Sequence, residues 1–439
     1  MAEQRVKIAV PTLRFPEFLG ITDWCVKPMN ELYSFMRNNV LSRDKLNYEQ
    51  GRAKNIHYGD IHTKFPAIFD ITKEYVPFIN ESEAIPDAGS EDYCVEGDLV
   101  FADASEDTND VGKCMEIVRL SGQRLLAGQH TILARRKGDA LAVGFAGYLF
   151  QSGLIRSRIE KEAQGTKVYQ ISSSRLDRIE IIFPESKGEQ QKIADCLTSL
   201  DELIASQGRK LEVLKAHKRG LMKQLFPREG ETRPRLRFPE FRDAPEWKNT
   251  SLDRLAKRGS GHTPSKSKKV NYDGGIKWVS LADSRRLDRG LISETTVEIS
   301  EKGIANSSAV MHPAGSVVLC RDAGIGKSAI MAESMAVSQH FMVWSCDEKL
   351  LSNWYLYYLL KLMRPLFEDV ASGSTIKTIG LSFFKELSVI TPSLSEQQRI
   401  ADCLSSLDTQ ITAESDQLAA LKSHKQGLMQ QLFPAQGAG

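Results

Sequence analysis

The chain has 439 residues, 41% of them hydrophobic and 26% charged, with a formal net charge of +2. Such a composition suits a globular chain of two or three domains. It excludes a polycation that grips nucleic acid by charge alone, so any nucleic-acid surface has to be local or shared with partners. No run of about 18 apolar residues marks a membrane span. The opening MAEQRVK is charged and is not a secretory signal, which makes the cytoplasm the expected compartment. Seven scattered cysteines (25, 94, 114, 196, 320, 346 and 403) form no C-x-x-C pair. They fit reduced, buried thiols rather than a zinc or redox motif.

In chain order, residues 1–20 read as an N-terminal segment that carries LRFPEF at 13–18. Residues 21–184 read as a mixed domain, with β-type runs at 98–102, 131–134 and 179–182 and a helical stretch at 143–157. Residues 185–235 form a central helical region. LRFPEF returns at 236–241 and opens a second mixed domain, 236–392, with a β-type run at 316–320 and a helical stretch at 353–370. Residues 393–439 are a second helical region.

The two helical regions are copies. EQQKIADCLTSLDELIASQGRKLEVLKAHKRGLMKQLFP at 189–227 and EQQRIADCLSSLDTQITAESDQLAALKSHKQGLMQQLFP at 396–434 match at 24 of 39 positions without a gap. Apolar residues recur at spacings of three and four: Ile193, Leu197, Leu200, Ile204, Leu211, Leu214, Leu221 and Leu225. The second copy repeats them as Ile400, Leu404, Leu407, Ile411, Leu418, Leu421, Leu428 and Leu432. This is an a/d seam. It is interrupted by polar residues at matching places, Gln207 with Glu414 and Lys218 with Lys425. Rods of roughly 55 Å are expected, ending at Pro227 and Pro434. The simplest arrangement packs the two seams on each other, antiparallel; the alternative packs each helix on its own domain or on another subunit. The expected fold is α+β: two tandem mixed α/β domains separated by two long helices in an antiparallel coiled coil, with pseudo-twofold symmetry.

The two domains share landmarks in one order. Gly112-Lys113 answers to Gly326-Lys327, Gln129-His130 to Gln339-His340, and Gly165-Thr166 to Gly373-Ser374. Residues 251–290 hold ten Lys/Arg against four Asp. Within them 259–267 is rich in Gly, Ser, Thr and Lys, able to bring backbone N–H groups to a phosphate or simply to be a solvated loop. The paired Gln-His steps are either base readers or strand-end polar residues.

Catalytic readings find little support. Asp322 to Ser328 resembles the end of a P-loop, but Arg321 stands where its first glycine belongs. Asp103, Glu106, Asp107 and Asp110 read as a solvated acidic loop rather than a metal site. His217 and His424 are repeat mates that read as surface residues of the helices. No amino-methyltransferase or nuclease motif is present in the sequence.

Four patterns carry a resemblance. They are E-Q-Q-[KR]-I-A at the start of both helices, L-M-x-Q-L-F-P at their ends, Gly261-His-Thr-Pro-Ser265 with 272–283 (YDGGIKWVSLAD), and 55–62 (NIHYGDIH). Together they span nearly the whole chain, which resembles the specificity subunits of type I restriction–modification systems. His262 and Lys277 depart from the family's usual glycine and proline. The resemblance implies two target recognition domains, each reading one half of a split, asymmetric double-stranded DNA site. It implies helices that dock two methyltransferase subunits, and motor–nuclease subunits that join for cleavage. It also implies a non-catalytic chain without cofactors, S-adenosylmethionine, ATP and Mg2+ being bound by partners. The residues expected at DNA are His57, Asp60, His62, Lys113, Gln129 and His130 in the first domain. In the second they are Thr263, Ser265, Lys266, Lys268, Lys269, Arg321, Lys327, Gln339 and His340. A gap of roughly 5–8 base pairs follows from half-sites about one helical turn apart.

Overall fold

The computed structural model describes residues 10–20, 24–87, 89–373 and 377–435. The landmark at Ser374 and residues 1–9 and 21–23 of the expected segments lie outside these. Two compact units emerge, 1–208 with 417–439 and 209–416. No helix among the described residues is long and apolar enough to cross a membrane.

Each unit has the same sheet plan. In the first, a five-stranded sheet runs in the order Tyr33–Met36, Thr131–Arg136, Leu99–Ala102, Cys114–Arg119 and Ile68–Asp70. In the second the order is Ala256–Ser260, Phe341–Cys346, Val317–Cys320, Ser328–Met331 and Leu291–Ile292. The last pair is parallel in both sheets. A smaller sheet in each unit holds one further parallel pair, Lys54–Ile56 with Leu125–Ala127 and Tyr272–Val279 with Met335–Val337. For the strands around these we write β1 (Lys54–Ile56), β2 (Leu99–Ala102), β3 (Cys114–Arg119), β4 (Leu125–Ala127) and β5 (Thr131–Arg136). Their counterparts are β6 (Tyr272–Val279), β7 (Val317–Cys320), β8 (Ser328–Met331), β9 (Met335–Val337) and β10 (Phe341–Cys346). Helices are α1 (Tyr58–Thr63), α2 (Ala146–Leu149), α3 (Lys187–Leu225), α4 (Asn353–Leu362) and α5 (Leu394–Leu432). Central strands such as β2 and β7 are buried at every residue, which is why they read as continuous apolar runs rather than alternating ones.

The sequence places single helices at 143–157 and 353–370. Each is two: Ala146–Leu149 then Gly153–Glu162, and Asn353–Leu362 then Arg364–Val370. Pro365 explains the second break: it has no N–H to continue the hydrogen-bond ladder of the first helix, and it sits in the first turn of the second, where that loss is tolerated.

Helices α3 and α5 each run 39 residues and end two residues before their prolines. In the first unit Ile193 and Leu197 share a core with Leu432 and Phe433, with Leu428 packed against it. In the second unit Leu225 and Phe226 share a core with Ile400 and Leu404, with Leu221 alongside. The start of one helix therefore meets the end of the other, so they are antiparallel. The seam ends join the cores of their own domains as well, so packing on the partner helix and on the own domain occur together. Between them Leu211 is buried, while Leu200, Ile204, Leu214, Leu407, Ile411, Leu418 and Leu421 are half-buried, as a two-helix stretch requires. His217 and His424 are exposed.

The polar interruptions have partners. Lys425 Nζ donates to Asp201 at 2.5 Å, the Tyr148 hydroxyl donates to the same carboxylate at 2.9 Å, and the ammonium sits over the Tyr148 ring. The second unit repeats this with Lys218, Asp408 and Tyr358. Gln207 donates to Gln417, and Lys210 pairs with Glu414. A polar group that finds its partner only in one register opposes sliding of the seam.

The other repeated motifs explain one another. Arg14 of the first LRFPEF forks onto Glu189 of EQQK at 2.6 and 2.7 Å, and Arg237 of the second forks onto Glu396 of EQQR at 2.8 and 2.7 Å. Lys192 lies over the Phe15 ring and Arg399 over the Phe238 ring. Gln190 and Gln397 each bond three backbone groups, including the carbonyls of Pro184 and Pro392. These motifs form the clasp between each domain and its helix.

Candidate nucleic-acid interface

Several loops converge where the parallel strands end. In the first unit β1 leads into α1, capped by His57, whose Nδ1 accepts from the Gly59 amide at 3.1 Å. In the second, β6 leads into a short turn capped by Ser280, with Asp283 completing a capping box. The partner strands β4 and β9 end in Gly128-Gln129-His130 and Ser338-Gln339-His340. Both are tied back alike, Gly128 N to Ile56 O and Ser338 N to Val279 O, at 2.9 Å each. The hairpins β2–β3 and β7–β8 supply a third loop at each place. Gly112 and Gly326 turn these hairpins at φ +63° and +79°, a region that favours glycine.

The loops carry different side chains. In the first unit Tyr58 gathers imidazoles: His57 at 4.7 Å, His130 at 5.4 Å and His62 at 6.2 Å between ring centroids. His130 has φ +58° and its Nδ1 lies 3.3 Å from Asp103, whose carboxyl is pushed up by burial. Burial, then the Arg43 charge, lowers the His57 pKa, which favours its neutral ring. In the second unit Thr263 donates to Gln339 at 2.6 Å, and His340 Nδ1 meets Asp322 at 2.5 Å. A cavity there is lined by Thr263, Lys266, Trp278, Ser280 and His340. The G-x-T-P-S segment is fastened by its small residues. A Cβ on Gly261 would meet Val337 O at 1.7 Å, Pro264 O accepts from the Tyr272 hydroxyl, and Ser265 O from Asn271. The stretch 265–270 that follows is exposed and carries Lys266, Lys268 and Lys269.

Not every expected residue faces solvent. Asp60 is 1% exposed and bonded to Arg43 and Lys64, so it cannot meet a base edge; it orients its neighbours instead. Lys113 donates to His62 O at 2.8 Å and Lys327 to Ser284 O at 3.2 Å, so both amines pin the hairpin turn to the loop after β1 or β6. His62 Nε2 lies 3.0 Å from Ala104 O, and Arg321 lies against Asp322 at 3.5 Å. Gln129 is half-buried, and Ser265 bonds Ser267 at 2.9 Å. The P-loop-like 322–328 is a turn between the antiparallel strands β7 and β8, not a strand-to-helix junction, which removes the nucleotide reading.

Sequence reasoning missed Arg43, Arg286 and the stacked, exposed pair Tyr48–Tyr75, centroids 4.5 Å apart, beside Lys64. Arg286 bonds Asp283, and Arg43 bonds Asp60, each arginine side chain being about half exposed and each aspartate buried. In the first unit a lysine thus lies over an exposed aromatic pair, a combination on which nucleic-acid bases can stack.

A family model described as the type I restriction modification DNA specificity domain matches residues 71–216 and 245–423, well over half of the chain. The chain is 23% identical over 421 residues to the putative type I restriction enzyme MjaX specificity subunit of Methanocaldococcus jannaschii, covering 94% of this chain and 93% of that protein. It is 28% identical over 174 residues to the EcoR124I/EcoR124II specificity subunit of Escherichia coli, 37% of this chain and 41% of that one. Among solved structures, the S subunit of a type I system from M. genitalium superposes with a TM-score of 0.58 at 15% identity, covering 97% of this chain and 99% of that one. At such identity the likeness speaks for the fold.

Proposed function

The chain belongs to the type I restriction–modification DNA specificity family, and on that premise we propose that it reads duplex DNA for partner enzymes and performs no chemistry itself. Each domain takes one half of a bipartite, asymmetric site with a fixed gap of roughly 5–8 base pairs, about one turn of duplex between half-site centres. The long helices dock two methyltransferase subunits, which methylate adenine, and motor–nuclease subunits join them for restriction. S-adenosylmethionine, ATP and Mg2+ belong to those partners. The assembly works in the cytoplasm.

The observation that carries this reading is the pairing of one topology with two surfaces. The same loop ends present Tyr58 with three histidines in one domain and Thr263, Lys266, Ser280 and His340 in the other. One scaffold with two faces suits two different half-sites. Lys266, Lys268 and Lys269 contact phosphates, which position the protein without reading sequence. Gln129, His130, Thr263, Gln339 and His340 approach base edges. Asp60, His62, Lys113, Arg321 and Lys327 shape the edge from behind.

The test is base-modification sequencing of host DNA with and without this chain. Loss of one methylated split motif with a fixed gap on deletion is the expected result. If no methylated motif disappears, or if the motif tolerates any gap, the reading fails.

A further inference from the structure

We propose that Arg286 reads a guanine in the half-site of the second domain, held in place by the buried carboxylate of Asp283. The inference rests on the specificity reading above and adds the residue and the base.

Asp283 is fully buried and anchored on every side. Its Oδ2 accepts from the Ser280 amide at 2.9 Å and the Ser280 hydroxyl at 3.2 Å. Its Oδ1 accepts from the Thr296 amide at 2.7 Å and the Thr296 hydroxyl at 2.8 Å. Arg286 Nη1 donates to that Oδ1 at 3.0 Å and lies 2.6 Å from Thr296 Oγ1. Both Nη1 hydrogens are thereby committed. Nε and Nη2 have no protein partner among the described residues, and the arginine side chain stays 43% exposed. These two groups share one edge of the guanidinium, the side-on fork. A fork with a fixed plane and two parallel donors matches the O6 and N7 acceptors of guanine in the major groove. A lone exposed arginine would have to order its side chain on binding; this one is ordered already.

Position supports the same assignment. Asp283 sits four residues past the end of β6, three past the Ser280 that lines the cavity with Thr263, Lys266 and His340. The first domain builds an analogous pair at the same place, there through Nη2, which also lies 3.2 Å from His57 Nδ1. Asp60, three residues past His57, is 1% exposed and takes Arg43 Nη2 at 3.1 Å, while the Arg43 side chain stays 50% exposed. Two domains whose surfaces otherwise diverge have kept a half-exposed arginine on a buried aspartate, reached from different sequence positions.

The experiment is methylome sequencing of hosts that carry the full-length wild-type, Arg286→Ala, Arg286→Lys or Arg43→Ala chain with its natural partners. Arg286→Ala is expected to make one G·C position degenerate in one half of the motif. Discrimination there should fall on the order of 5- to 150-fold, the worth of a bidentate contact. The other half-site, still read, is the internal control for folding, and Arg43→Ala should leave the Arg286 half intact. An unchanged motif overturns the proposal, and so does degeneracy at an A·T position. If Arg286→Ala abolishes methylation altogether, Arg286→Lys decides. Lysine keeps the charge but not the fork. Methylation restored with a relaxed G·C position supports the proposal; methylation restored with the full motif, or not restored at all, overturns it. A wild-type chain that directs no split methylated motif would instead sink the specificity reading itself.

Discussion

Glu396→Ala is the most informative perturbation of the scaffold. The Arg237 side chain is 7% exposed and the Glu396 side chain 1%. Two bonds join them, and two further N–H groups of the guanidinium donate to the carbonyls of Ala244 at 2.7 Å and Pro245 at 3.0 Å. Removing the carboxylate leaves a buried guanidinium without its counter-charge, which costs about 3–5 kcal/mol. Against a domain stability of roughly 5–15 kcal/mol, that is a large fraction of the whole. Removing both partners, as Arg237→Met with Glu396→Ala, should cost less than the sum of those two single changes, with a coupling of at least about 2 kcal/mol. Trp247 is a suitable probe: it is buried two residues past Pro245 and packs against Phe226 and Tyr355. Urea titrations followed by tryptophan fluorescence, with the other four tryptophans replaced by phenylalanine so that Trp247 alone reports, would give the four stabilities of the cycle. Additive single effects, each under about 0.5 kcal/mol, would refute the clasp.

Lys266→Ala with Lys268→Ala should weaken binding across all duplexes and lower the salt slope by about 2, one unit per phosphate contact; unchanged affinity in a salt titration would remove 265–270 from the DNA surface. Asp408→Asn should destabilise the second unit by about 1–3 kcal/mol, because Lys218 loses its counter-charge, with Lys218→Met partly rescuing it in the same unfolding assay. Glu116 gives a pH prediction. Burial pushes its carboxyl up to about 7 although the Gly144 and Gly147 amides donate to it. A raised folded pKa means the folded state holds the proton more tightly, so this contribution is complete below pH 4.5 and is lost as pH rises through 7. Wild-type stability should fall by about 3 kcal/mol from this group between pH 5 and 8, while Glu116→Gln should lack that slope in unfolding curves taken across the range.

The helices were legible because their seam repeats with a local period, and the apolar runs at 98–102 and 316–320 announced central strands. The interface was legible only in outline. His57 and Asp60 stand side by side in the sequence and part company in the fold, one capping a helix at the surface, the other buried beneath Arg43. Nothing within seventeen residues of Arg43 names Asp60 as its partner, since the pair is made by tertiary packing. Lys113 and Lys327 looked like free cations because the carbonyls that hold them, His62 O in α1 and Ser284 O after β6, lie 51 and 43 residues away. The clasp did leave a readable trace. Arginine in both LRFPEF copies and glutamate in both EQQ copies are opposite charges duplicated together, and that coincidence could have been read as contact.

The spacing between equivalent residues of the two copies changes along the chain. It is 223 from Arg14/Arg237 and Trp24/Trp247 through Asp60/Asp283, and 218 at Ala102/Cys320. It is then 214 at Lys113/Lys327, 210 at Gln129/Gln339 and 207 from Glu189/Glu396 onward. Each step is a small net insertion or deletion, and the steps fall between strands that kept their pairing order. A gene doubled once and then re-cut only in its loops would leave such a staircase. New sequence preferences can therefore arise by lengthening or trimming a loop, without any change at the joints, and those same steps mark where an engineer could cut.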